Sequence, residues 1–287
     1  MKVRFWGVRG SVASSGSHVA KIGGNTSCLE LESQGHRLIF DAGTGLRSLG
    51  DALMKEQPVK ATMLWSHLHW DHVQGFPFFT PAFMPNTELT MYGPGGDGEQ
   101  QLRSVLSKQM EPPNFPVPLS AMRAKMDFRS AVPGRVIETG PFRVTPFELP
   151  HPQGCIGYHV EADGFRFAYC TDVEMAPETL ERGVGDVLSG VDALVLDAQY
   201  TSDEYEGRVG PPKKGWGHST NIDAARVAKL VDAKRLFLFH HDPGHADQQV
   251  EDMAEEARAW FFNSEPAREN KCINLVARSS PSAVALG

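Results

Sequence analysis

Apolar residues recur at two spacings along the chain, and each change of spacing marks an element. Alternation or short apolar runs over residues 3–8, 27–32 and 37–40 predict strands, the last two joined by a turn at Gln34-Gly35. After the turn Asp41-Ala42-Gly43-Thr44-Gly45, the residues Leu46, Leu49, Leu53 and Met54 fall on one helical face, which predicts a helix over 46–55. A short strand is expected at 61–65, another at 89–92, and a helix at 99–109. Residues 110–119 carry four prolines and read as an ordered, irregular loop at the rim of any nearby site. Strands resume at 135–138, 142–148, 156–162 and 165–170, and Asp163-Gly164 is a two-residue hairpin signal between the last two. Residues 192–196 and 235–239 are nearly all apolar, as in strands covered on both faces. Helices are predicted at 221–231 and 247–262. Strands in both halves with helices between them predict an α/β class and one domain over 1–287.

Charge narrows the partners. Lys and Arg number 28 against 35 for Asp and Glu, a net charge of −7, and no long basic run is present. Affinity for an extended nucleic acid comes from clustered cations, so such a partner is disfavoured, whereas a small phosphate ester held by metal ions is not. The four cysteines, Cys28, Cys155, Cys170 and Cys272, are far apart and form no CxxC pair. They read as small packing residues of a reducing compartment. The chain enters a strand at once, without an apolar leader, and no segment approaches the roughly 20 apolar residues that span a bilayer. A cytoplasmic location and no membrane partner are therefore expected.

The densest chemistry lies at the end of the strand at 61–65, where His67, His69, Asp71 and His72 fall within six positions. Residues i and i+2 of an extended segment point the same way, so His67 and His69 can grip one ion, while a turn can aim Asp71 and His72 at a second. Imidazole and carboxylate donors suit Zn2+, with Mn2+ or Fe2+ as alternatives. Further ligands are expected at later strand ends, where His151, Asp172 and His240 stand. His240 and His241 are adjacent and either could serve; continuing the alternation Leu236, Leu238, His240 favours the first.

The motif HxHxDH followed by His, Asp and His at strand ends resembles the metallo-β-lactamase superfamily over nearly the whole chain. The resemblance implies a four-layer αββα sandwich. It also implies two divalent cations, with His67, His69 and His151 on one, Asp71, His72 and His240 on the other, and Asp172 bridging. Asp41, in Phe40-Asp41-Ala42-Gly43, matches the family's early aspartate, which supports the site.

Within that superfamily, Gly215-Trp216-Gly217-His218-Ser219-Thr220 resembles the phosphodiesterase branch, which includes ribonuclease Z and the cyclic-phosphate phosphodiesterases. There the histidine serves as general acid or orients the phosphate, the reading favoured for His218 over that of a residue merely preceding a helix cap at Ser219 or Thr220. His218 and Asp71 are the candidate catalytic side chains. The implied reaction is attack by a metal-bridging hydroxide on a small or cyclic nucleotide-type phosphodiester. The tRNA-gripping arm of ribonuclease Z would fall between His151 and Asp172, which are only 21 positions apart here. A tRNA-processing nuclease is thus the alternative, together with an ester, thioester or lactam hydrolase of the same fold. Trp70, Phe76, Phe78, Phe79 and Phe83 are candidates for a base pocket, Trp216 and His245 for substrate contact, and a homodimer is a further expectation. His18, His36 and His159 read as surface or strand residues.

Overall fold

A computed structural model describes residues 1–275; the end of the domain expected over 1–287 lies outside the described residues. Its first sheet has seven strands. They are β1 (Lys2–Gly7), β2 (Cys28–Ser33), β3 (His36–Phe40), β4 (Lys60–Leu64), β5 (Glu88–Pro94), β6 (Lys125–Ala131) and, beyond β1, a short strand at Cys272–Asn274. The second sheet, also of seven, runs from β7 (Ile137–Thr139) through β8 (Phe142–Leu149), β9 (Cys155–Ala162), β10 (Phe165–Cys170), β11 (Ala193–Asp197) and β12 (Leu236–Phe239) to β13 (Ser264–Pro266). The strand at Cys272–Asn274 is β14. Each sheet is half antiparallel and half parallel; β3 to β6 and β10 to β13 are the parallel runs.

Period-two alternation divides every central strand between two cores. Leu38 and Phe40 of β3, and Phe237 and Phe239 of β12, meet between the sheets with Tyr158 and Tyr169. Ring centroids there lie 5.3 Å apart for Phe5 and Phe237 and 5.1 Å for Phe40 and Tyr169. The intervening Ile39 and Met63 face outward under the helices α1 (Gly45–Leu53) and α2 (Gly98–Gln109). Leu236 and Leu238 likewise face outward under α5 (Asn221–Leu230) and α6 (Asp247–Trp260), beside α3 (Arg182–Leu188). Helix, sheet, sheet, helix is the four-layer αββα sandwich that the resemblance implied.

Most predicted elements form within two residues of their expected bounds. The sequence reading passed over β6, α3, the short α4 (Ser202–Tyr205), β13 and β14. β13 and β14 are three-residue edges whose pairing comes from a distant partner, whereas the edge strand β6 does alternate, with Lys125, Asp127 and Arg129 outward against Met126 and Phe128. Phe76 and Phe79 correct the expected base pocket: both are fully buried in the core beneath α1, while Trp70 and Phe78 remain exposed. Cys28, Cys155 and Cys170 are buried free thiols and Cys272 is exposed.

Candidate metal centre

The crevice beyond the strand ends gathers the predicted residues. The segment after β4 brings His67, His69, Asp71 and His72; His151 follows β8, Asp172 follows β10, and His240 follows β12 directly. Asp41, Asp172 and His240 all have positive φ, at 57°, 50° and 60°. Non-glycine residues adopt this conformation at a cost of order 1 kcal/mol, and here it turns the chain sharply so that the side chain points along the crevice rather than across the sheet. For His240 this turn, not the alternation, does the aiming, since Leu236 and Leu238 face the helix layer. His241 lies the other way, with Nε2 3.1 Å from the carbonyl of Ala267. Burial pushes its pKa down to about 3, so it is neutral. Gly10 crosses the cluster where a Cβ would lie 2.4 Å from the His240 ring, which only glycine permits.

Two donor groups that could each hold one ion share a carboxylate: His67, His69, His151 and Asp172, and Asp71, His72, Asp172 and His240; a third, Asp197, His218 and His240, adjoins them. Asp172 belongs to the first two. Its Oδ2 lies 3.5 Å from His67 Nε2 and 4.0 Å from His151 Nε2, and its Oδ1 lies 3.2 Å from both His72 Nε2 and His240 Nε2. Asp71 Oδ2 completes the second group, 3.3 Å from His72 Nε2 and 3.2 Å from His240 Nε2. The backbone N–H of Ser11 donates to the same oxygen at 2.7 Å.

The outer nitrogen of each ring sets its tautomer. His72 Nδ1 donates to Asp41 at 2.9 Å, His240 Nδ1 to Gln199 Oε1 at 3.0 Å, and His151 Nδ1 to the carbonyl of Gly217 at 2.9 Å. His67 Nδ1 meets Ser66 Oγ at 3.1 Å, and His69 Nε2 meets Gln153 Oε1 at 3.2 Å. Asp41 is itself held by Ser66 and by the hydroxyl of Tyr169 at 2.8 Å. Five lone pairs, four from Nε2 and one from His69 Nδ1, are thereby turned inward beside two carboxylates. His72 Nε2 and His240 Nε2 face each other at 3.3 Å, an arrangement that requires a proton or a metal cation among them. His67 Nε2 is buried without any hydrogen-bond partner. A cation satisfies that atom as well, so the donor set fits divalent metal.

The electrostatics show a cluster that calls for positive charge, which a proton on His72 supplies. Burial opposes charge on both His72 and Asp172, yet their mutual attraction wins: Asp172, Asp71 and Asp41 raise His72 well above the ordinary imidazole range, and His240 and His72 hold Asp172 well below the carboxylate range. His67, where burial and the neighbouring His72 act together, is held well below it and stays neutral, as a ligand must.

His218 stands beside this cluster, its ring stacked on His240 at 5.0 Å and 15°. Nδ1 donates to Asp197 Oδ2 at 2.7 Å. Burial alone would lower His218, but Asp197, with help from Asp172 and Asp71, pushes it up to about 9. The helix cap is Thr220, one of the two expected positions, whose side chain accepts from the N–H of Asp223. Ser219 instead bonds Val173 and Met175. Asp197 and Gln199 were passed over as site residues; their signal was position, at the end of the apolar strand β11. Glu174 had no such signal: it binds the N–H groups of Gly215 and Gly217 across 41 and 43 positions and so shapes the His218 loop. His245 is buried against Glu204 at 2.8 Å and Trp216 is exposed, and neither belongs to the donor groups.

A family model described as a β-lactamase superfamily domain matches residues 36–241, and the chain belongs to that family. Carrying this donor set on this fold, it is a metal-dependent hydrolase. Among curated relatives, ribonuclease Z of Streptococcus agalactiae is 27% identical over 285 residues, covering 80% of this chain and 87% of that protein. Among solved structures, the metallo-β-lactamase fold protein YhfI from Bacillus subtilis superposes with a TM-score of 0.71 at 19% identity, over 95% of this chain and 98% of its own. The short form of human tRNase Z superposes with a TM-score of 0.67 at 22% identity, over 96% of this chain and 100% of its own. No helix among the described residues is long and apolar enough to cross a membrane.

Proposed function

We propose that this chain is a dinuclear metal-dependent phosphodiesterase acting on small, nucleotide-type phosphodiesters. The observation that carries the reading is the shared carboxylate: Asp172 turns one oxygen to each of two donor groups, with His218 stacked alongside. His67, His69 and His151 would hold one cation, Asp71, His72 and His240 the other, and Asp172 both. Two such cations, Zn2+ by donor type, supply charge for the phosphoryl oxygens and acidify water.

The chain's own residues supply the rest. Asp197 accepts the hydrogen bond from the Nδ1–H of His218, leaving Nε2 to meet the substrate. A ring raised to about 9 holds its proton at neutral pH and can pass it to a departing alkoxide; cations in the cluster would draw that value back down. Asp71, fixed by the Ser11 amide, keeps its charge beside His240 rather than taking a proton.

The relatives named ribonuclease Z favour an RNA substrate. Against this, only the β9–β10 hairpin occupies the span between His151 and Asp172, and the net charge is −7. Both favour a small substrate. The three buried thiols suit a reducing, cytoplasmic setting.

Metal analysis with a substrate panel tests the reading: bis-p-nitrophenyl phosphate, cyclic nucleotides, a tRNA precursor, a thioester and nitrocefin. Turnover of the thioester or nitrocefin alone refutes it. His218→Ala should keep the metal and lose about 10²- to 10⁴-fold in phosphodiester turnover; unchanged turnover reduces His218 to a loop residue.

A further inference from the structure

Three cavities adjoin the cluster. One of about 670 Å³ is lined by His67 and His69, and one of about 350 Å³ by His151 and His218. The third, about 780 Å³, holds none of the cluster's donors but starts at Trp70, the residue between His69 and Asp71. We propose that this third cavity seats the heterocyclic base of the substrate and selects bases that carry an exocyclic amino group. The proposal rests on the phosphodiesterase reading only for the phosphate end of the ligand.

The walls are aromatic. Trp70 is 67% exposed and Phe78 56%, and Phe115, from the proline-rich loop at 110–119, meets Phe78 edge to face at 5.6 Å. Flat apolar surface left in water one residue from two metal-type donors, the half-buried His69 and the buried Asp71, is what a stacked ring would cover. The cavity's size is that of an ordinary small-ligand site. Among the described residues no carboxylate lines it, and its one cation is Arg47. An anionic nucleotide therefore meets no repulsion there.

The polar edge decides between bases. Gln109 donates its amide N–H to the carbonyl of Val73 at 3.1 Å, and a carbonyl can only accept. Gln74 donates to Thr26 Oγ1 at 3.3 Å, and that hydroxyl spends its own proton on the carbonyl of Asp71 at 2.8 Å. Both glutamines are thus oriented by their partners, and in each the side-chain oxygen and the second amide N–H are left for a ligand. An amide edge held this way offers an acceptor beside a donor, which the N6 amino group and N7 of adenine match and O6 and N7 of hypoxanthine, both acceptors, do not.

Calorimetric titration of the full metal-loaded chain with nucleoside monophosphates and with ribose 5-phosphate tests this. We expect adenosine monophosphate to bind about tenfold tighter than ribose 5-phosphate, as stacking on aromatic side chains allows. It should also bind about fivefold tighter than inosine monophosphate, one neutral hydrogen bond's worth. Phe115→Ala and, independently, Phe78→Ala should collapse the first ratio; Gln109→Met should collapse the second and spare the first. Equal affinities in the unaltered chain, or ratios that survive both phenylalanine variants, overturn the proposal while phosphodiester turnover stands or falls separately with His218→Ala. Loss of dimers in the phenylalanine variants with both ratios intact overturns it too, because the aromatic patch would then be a contact between two copies of this chain.

Discussion

The two donor groups share Asp172 but are held in different ways. In the group of Asp71, His72 and His240, every member is buried, and the rings are tied to a carboxylate (Asp41) and to an amide (Gln199) that are themselves buried. In the group of His67, His69 and His151, the His67 and His151 side chains are buried too, but His69 is only half-buried and tied to Gln153 on the surface, and His151 is tied to the carbonyl of Gly217 in a loop. Hydrogen bonds made in a water-free, low-dielectric setting are stronger and position a ring more tightly. On the proposed two-ion reading, the buried group would keep its ion and the more open group would admit water and substrate.

Replacing the shared carboxylate should have the largest effect. Asp172→Asn preserves shape and tolerates the positive φ, but removes the charge that serves both groups. Metal content by mass spectrometry should fall below two per chain, and turnover should drop about 10³-fold or more, on the scale of removing a transition-state-stabilising group. Retention of both ions would break the bridging role. Asp41→Asn comes next: it presents an amide to His72 in place of the carboxylate that accepts its proton. One ion, not both, should then weaken by about 10- to 100-fold in a chelator competition. Uniform weakening of both would erase the asymmetry.

Acid should act on the buried side first. His241 has a folded pKa of about 3 against an ordinary value of 6.5, so between those values the unfolded chain binds the extra proton. Its contribution to stability is full above pH 6.5 and is lost as the pH falls toward 3, at no more than about 1.4 kcal/mol per pH unit. Urea midpoints measured from pH 7 down to 4 should decline, and His241→Gln should flatten that slope. The smallest effect belongs to Gln153→Ala. Its bond to His69 is partly solvated, so affinity for the open-site ion should change by no more than a few-fold, and a hundredfold loss would contradict the account of that group as loosely held.

How much of this was readable beforehand follows the range of the interactions. His67, His69, Asp71 and His72 were legible because four ligand-type residues crowd one strand end, and adjacency in sequence forces adjacency in space. His151, Asp172 and His240 were legible as strand-end residues, and the family resemblance joined them. Gln199, Asp197 and Glu174 carried almost no signal, because what they do depends on partners 41, 21 and 43 positions away. The aromatic candidates split for the same reason: Phe76 and Phe79 share a composition with Phe78, and only packing under α1 assigns them to the core.

Periodicity by itself determined the elements and their alternation, since a side chain's face on a strand or helix is a local property. The crowded motif determined that metal chemistry was present. Only the tertiary structure decided that His240 rather than His241 enters the cluster, because a backbone turn at positive φ, and not the strand's alternation, aims it. It alone turned Asp172 to face both groups and fixed each ring's proton, since those choices rest on acceptors contributed by other strands and loops.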